Sequence, residues 1–215
     1  MSTSTPDGRF VVLLPVKRPV VAKSRLLDLG DRVRRDLVVA FAADTATAAL
    51  ESPLVTAVLA VTDDFELADG LRGLGVQVIP DGTVDDLNGS LLQAAAEAQR
   101  RWPGAGLVAI CADLPALRSS ELTSALSRAA TTSASFVADA DMVGTTTLVA
   151  PDLDLFTPRF GPHSRRAHLE AGAREIDLDD VPGLRRDVDT PDDLRAAVEL
   201  GVRARTSAII TTLRL

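Results

Sequence analysis

Four apolar runs of strand length punctuate the first half of the chain: FVVLLPV from Phe10, VTAVLAV from Val55, VQVIP from Val76 and GLVAICADLP from Gly106. Each is apolar on nearly every residue rather than on alternate ones, the pattern of strands buried on both faces. Helical segments separate them, over Asp31 to Leu50, 64–74 and 87–102. In the first of these Val33, Leu37, Phe41 and Thr45 fall along one face. Strand–helix alternation of this kind predicts an α/β fold, a mostly parallel sheet covered by helices on both sides. Beyond it, the pattern predicts a helix over 119–130 with Ser119 as N-cap, and two strands over 135–141 and 145–151 turning at Gly144. A loop and short helix follow over 158–174, and the last helix is opened by Thr190-Pro191. Ligands of such sheets bind outside the carboxyl ends of the strands. The first and fourth runs end at Lys17 and Asp113, so the chemistry is expected there.

With 215 residues, 46% of them hydrophobic, the chain is long enough to bury a sizeable core, and no repeat or linker divides it. We expect one domain over residues 1–202 and a C-terminal tail of unknown role over 203–215. No apolar run reaches the length of a membrane span, and the polar start MSTSTPDGR lacks the pattern of a secretory signal. Cys111 is the single cysteine, which excludes an internal disulfide and points to a reducing cytosol. A net charge of −7 with only 3% aromatic residues argues against a nucleic-acid partner.

Against that acidic background, Lys17 and Lys23 are the only lysines, and both lie in PVKRPVVAKSRL with Arg18 and Arg25. No Asp or Glu interrupts residues 10–27. Converging cations of this kind suit a small polyanion such as a triphosphate. There is no GxxxxGK[ST] motif, so side chains rather than a backbone cradle are expected to hold it.

Acids supply the second group. Asp113 closes an apolar strand, and Asp187 and Asp189 alternate in RRDVDTP so that both carboxylates project to one side of an extended segment. If the two segments meet, they suit a hard divalent cation such as Mg²⁺, which takes one or two carboxylates plus phosphate oxygens. Helix capping is the plainer explanation of Asp113 and of Asp189 taken singly. A third group, GTTTL from Gly144 and RFGPHS from Arg159, combines glycine with hydroxyls in the manner of an anion cradle, although turn chemistry alone explains such tracts as well. His163 and His168 lack the spacing of a helical zinc pair, and Cys111 reads as core packing.

Taken together, PVKRPVVAKSRL, LNGSL, ADLPAL, SFVAD, GTTTL, PRFGPHS and GLRRDVDTPDDL resemble the phospholactate guanylyltransferase family of coenzyme F-420 biosynthesis, above all its actinobacterial phosphoenolpyruvate branch. The resemblance runs to about Arg203, and PRFGPHS with DVDTP is its most specific part. It implies a three-layer αβα fold with a mostly parallel mixed sheet, that of the nucleotide-diphospho-sugar transferases. It also implies a GTP-dependent reaction with phosphoenolpyruvate or 2-phospholactate that releases pyrophosphate. By the same resemblance, Asp113 and Asp187 correspond to Mg²⁺ ligands with Asp189 nearby, and Thr147, Gly161 and Ser164 to the phosphoenolpyruvate site. Lys17, Arg18, Lys23 and Arg25 match the triphosphate loop, and Asn88 and Ser90 lie near the nucleotide. The tract reads GTTT where the resemblance leads us to expect GTGT, so Thr146 stands in place of a glycine beside Thr147. A labile product would be handed to a downstream transferase. The rival readings are a nucleotidyltransferase acting on 3-phosphoglycerate, molybdopterin or a sugar phosphate, and a glycosyltransferase. The residues alone leave the three-carbon acceptor open.

Overall fold

The computed structural model describes residues 9–16, 30–83, 86–177 and 179–213. Lys17, Arg18, Lys23 and Arg25 lie outside the described residues. The predicted strands form at β1 (Phe10–Pro15), β2 (Val55–Val61), β3 (Gln77–Ile79) and β4 (Gly106–Ile110). They are joined by α1 (Asp31–Leu50), α2 (Phe65–Arg72) and α3 (Leu87–Arg101). The second half adds α4 (Ser119–Arg128), β5 (Ser135–Ala138), β6 (Thr145–Ala150), α5 (Ser164–Glu170), β7 (Arg174–Glu175), α6 (Pro182–Arg185), α7 (Pro191–Leu200) and α8 (Ala204–Leu213).

The seven strands make one sheet in the order β3-β2-β1-β4-β6-β5-β7. Within it β6 runs antiparallel to both of its neighbours, and every other pairing is parallel. The continuous apolarity of the strands follows from this burial. Val12, Leu14 and Val16 face a core shared with α1, α2 and α4, while Val11 and Leu13 face a second core shared with α3. A third, smaller core joins Leu37 and Phe41 of α1 to Val188, Leu194 of α7 and Ile210 of α8.

Several details differ from the sequence reading: β7 and α6 were not predicted, and the strand expected over 135–141 ends at Ala138. Ser119 is the first residue of α4 and Arg118 its N-cap; the buried Glu121 carboxylate accepts the Arg118 N–H at 2.9 Å, a local bond that propensity does not reveal. The helix at Thr190-Pro191 is also followed by another. α8 covers most of the expected tail and docks on α1, where the buried Asp44 carboxylate accepts the backbone N–H of Thr206 at 2.8 Å and of Arg205 at 3.3 Å. A carboxylate at the open N–H groups of a helix start is favoured by both hydrogen bonding and the helix dipole. Asp44→Ala is therefore expected to lower stability by about 2 kcal/mol, with Asp44→Asn retaining part of it. Urea denaturation midpoints for the two variants and wild type measure this, and an unchanged midpoint for Asp44→Ala would show that α8 is not held this way.

Candidate active site

At the carboxyl ends of β1 and β4 the sheet opens into a cavity of about 400 Å³, within the size range of small-molecule sites. Its wall is mostly apolar, with Val16, Phe41, Leu87, Leu91, Ile110 and Phe160, and it carries two acids, Asp113 and Asp189. The expected meeting of the two acidic segments is observed. The backbone N–H of Val188 donates to the carbonyl of Asp113 at 3.1 Å, while the Val188 side chain is fully buried against Leu37 and Phe41. Burying the central residue of DVD is what pins the two flanking acids beside the end of β4.

Neither acid is the N-cap of a helix. Thr190 caps α7, with its hydroxyl accepting the Asp193 N–H at 3.2 Å and the Asp193 carboxylate accepting the Thr190 N–H at 2.9 Å. The cap of α4 is Arg118. Capping therefore does not account for Asp113 or Asp189, both of which line the cavity. Among the described residues no three His, Cys, Asp or Glu side chains are grouped as a metal cage. One or two carboxylates at an open cavity suit instead a cation whose shell a bound phosphate completes.

Thr45, a fully buried hydroxyl on α1, holds the Asp113 turn from behind. It accepts the Leu114 N–H at 3.1 Å and donates to the Ala112 carbonyl at 3.4 Å, bracketing the acid on both sides. The sequence showed Thr45 only as a member of an apolar helix face. A contact between residues 69 positions apart leaves no local signal.

The third group also assembles. Thr147 lies on β6 opposite the cavity residue Ile110, and its buried hydroxyl has no hydrogen-bond partner among the described residues. Across β5 the register moves from Val137 opposite Thr147 to Ala138 opposite Thr145, which makes Thr146 the extra residue of a β-bulge. Thr146, standing where a glycine was expected, is thus the bulged residue. The Asp139 carboxylate closes the β5–β6 turn by accepting the N–H groups of Val143 at 2.9 Å and Gly144 at 2.7 Å. A Cβ on Gly144 would run into that carboxylate.

Gly161 has a φ of 137°, in the left-handed region, and the space where its Cβ would sit is open. Its carbonyl accepts the N–H of the buried Ser164 at 3.1 Å. Asn88 fastens this loop to α3: its amide nitrogen donates to the Phe160 carbonyl at 3.0 Å and its oxygen accepts the Phe160 N–H at 2.9 Å. Ser90 is buried behind the cavity, its hydroxyl 2.8 Å from the Asp81 carboxylate and 2.7 Å from the Thr83 hydroxyl. Asn88 and Ser90 are thus engaged in loop architecture; like Asp187, Thr147, Gly161 and Ser164, they stand outside the cavity wall itself.

Sequence reading set His168 aside as lacking metal-ligand spacing, and the structure gives it a different place. It is fully buried between Phe136 and Phe160, with ring centroids 5.6 and 5.3 Å away. Burial pushes its pKa down to about 4, so the ring is neutral at physiological pH.

The family described as guanylyl transferase CofC like matches residues 10–214. A phosphoenolpyruvate guanylyltransferase from Thermomonospora curvata is 47% identical over 198 residues, covering 92% of this chain and 87% of the relative. Another bearing that name, from Streptosporangium roseum, is 45% identical over 215 residues, covering 100% of this chain and 96% of the relative. Among solved structures, a protein from Desulfovibrio desulfuricans assigned to the nucleotide-diphospho-sugar transferases superposes with a TM-score of 0.61 at 17% identity, covering 89% of this chain and 96% of that one. A Mycobacterium tuberculosis protein in complex with manganese superposes with a TM-score of 0.56 at 18% identity, covering 89% and 98%. Those likenesses carry the fold, the mixed sheet of the nucleotide-diphospho-sugar transferases. With a match from the first strand to the last helix, the chain belongs to the CofC-like guanylyl transferase family.

Proposed function

We propose that this chain is a guanylyltransferase that joins phosphoenolpyruvate to GTP and releases pyrophosphate. The observation that carries the reading is identity of 45–47%, over 92–100% of the chain, with relatives named for that activity. The meeting of Asp113 with the DVD segment at one cavity supports it.

In this reading an ionised phosphate oxygen of the acceptor attacks the α-phosphorus of GTP in line. The new P–O bond forms as the bond to the bridging oxygen breaks, and pyrophosphate leaves. No general base is needed, because the nucleophile carries no proton at neutral pH. Catalysis is then positioning and charge neutralisation. Asp113 and Asp187, with Asp189 beside them, are the residues to hold a divalent cation, Mg²⁺ in our reading. Such an ion, when bound, draws charge from the reacting phosphates. The manganese bound by a protein of the same fold is consistent with that choice. Thr147, Gly161 and Ser164 hold the acceptor, and the unspent hydroxyl of Thr147 and the open face of Gly161 suit an anionic ligand. Lys17, Arg18, Lys23 and Arg25 take the triphosphate, the two lysines offsetting charge on the departing pyrophosphate.

A pyrophosphate-release assay tests the reading by crossing GTP and ATP with phosphoenolpyruvate, 2-phospholactate and 3-phosphoglycerate, with and without Mg²⁺. Fastest release with GTP and phosphoenolpyruvate is expected, and faster turnover of another pair would replace that substrate assignment. In the same assay Lys23→Ala is expected to raise KM for GTP about tenfold, the equivalent of roughly 1.4 kcal/mol from one partly buried cation. Lys23→Arg should restore it only in part, because a planar guanidinium does not reproduce a compact ammonium. An unchanged KM for GTP in Lys23→Ala would remove that lysine from the triphosphate site.

A further inference from the structure

We propose that His168 is a positioning residue for the acceptor: its buried imidazole ties together the three segments that carry Thr147, Gly161 and Ser164. This rests on the acceptor site of the proposed function.

The geometry is specific. Nε2 of His168 accepts the backbone N–H of Arg159 at 3.0 Å, two residues before Gly161. A neutral ring that accepts at Nε2 carries its proton at Nδ1, and Nδ1 lies 3.0 Å from the hydroxyl of Thr145, two residues before Thr147. The ring itself projects from α5, whose first residue is Ser164, one turn earlier. Phe136 of β5 stacks on one side and Phe160 meets the ring edge-on. Both nitrogens are therefore committed to segments that carry acceptor residues, and no ring atom is left exposed to bind a ligand directly. His168 acts through these segments, and it does not touch the substrate.

The donor and acceptor assignment matters as much as the packing. A doubly protonated ring would present an N–H to the Arg159 N–H, turning one hydrogen bond into a repulsion. A ring replaced by phenyl would keep the stacking and lose both bonds, leaving the Arg159 N–H and Thr145 hydroxyl to find other partners. Glutamine can offer its side-chain oxygen near the Nε2 position and so keep the bond to Arg159.

The test compares wild type, His168→Phe, His168→Gln and Thr145→Val by pyrophosphate release, using the acceptor that wild type turns over best. His168→Phe should raise KM for the acceptor about tenfold, the scale of two lost hydrogen bonds, while KM for GTP stays within about twofold. His168→Gln should recover most of that loss. Thr145→Val, which removes one partner from a fold otherwise intact, should raise the acceptor KM about threefold. A purely structural histidine would lower the yield of active enzyme and the melting temperature while leaving both KM values unchanged, and that result overturns the proposal. Equal rises in both KM values overturn it as well. If the best acceptor is not phosphoenolpyruvate, the substrate assignment falls while the KM split still decides the role of His168. Nitrogen-15 NMR of His168 is independent of turnover: the Nδ1–H tautomer at pH 7 is expected, and the Nε2–H tautomer refutes the assignment.

Discussion

Asp113→Asn is expected to reduce kcat by about 10²- to 10³-fold, the cost of removing one preorganised charge from a transition state of this kind. The fold should survive, because the amide matches the carboxylate in shape and the backbone bonds at this turn are left alone. The Asp113 carbonyl still accepts from Val188, and Thr45 still accepts from Leu114. A melting temperature within about 2 °C of wild type is therefore expected alongside the loss of turnover. Titrating Mg²⁺ or Mn²⁺ against activity separates the two ways the acid can matter. If Asp113 holds the cation, the concentration needed for half-maximal rate rises steeply in the variant. Wild-type turnover from a folded Asp113→Asn protein would end the metal-holding role of this residue.

Gly183→Ala should have the largest effect on stability of any single methyl group added near the site. Gly183 sits in α6, four residues before Asp187, packed onto the loop that follows Asp113. An added Cβ would overlap the backbone carbonyl oxygen of Ala116 and lie 2.6 Å from Oε2 of Glu121. Neither neighbour can yield easily. The first is backbone, and the second is a buried carboxylate held by the N–H of Gly183 at 2.8 Å and of Arg118 at 2.9 Å. Overpacking of this kind costs about 3 kcal/mol, some 6–12 °C in melting temperature for a chain of this length. Any relief by shifting α6 would also carry Val188 away from Asp113, so turnover should fall with stability. Gly70→Ala is the matched control: that glycine lies on an exposed face of α2 with nothing near its Cβ position, and the helical gain should raise stability by about 1 kcal/mol. A Gly183→Ala melting temperature equal to wild type would show that α6 has slack the packing does not suggest.

Much of this architecture is written locally. Apolar runs covered on both faces read as strands because no residue in them faces water, and α1 was predicted from Asp31 to Leu50 and observed over the same residues. The acids stood out for a different reason: carboxylates at the end of an apolar strand and alternating in RRDVDTP suit a divalent cation if the segments meet, and the structure brings those two segments together. Other features did not show because they depend on distant partners. Asn88 and Ser90 sit in a motif that suggests the nucleotide, and the sequence holds no sign that they also bond to Phe160, Asp81 and Thr83. α8 carries little sequence signal, and its place is set by Asp44, some 160 residues earlier.

By itself, then, the sequence determined the order of the first four strands and the helices between them, the end of the sheet at which we place the chemistry, and the residue types available there. Those follow from periodicity and composition, which act over a few residues at a time. Only the tertiary structure decided that Val188 bonds to Asp113, that Thr45 brackets that acid, and that one neutral imidazole joins Thr145 to Arg159. Hydrogen bonds and buried contacts of this kind depend on atoms meeting to within a fraction of an ångström across long stretches of chain, and residue order carries no record of that distance.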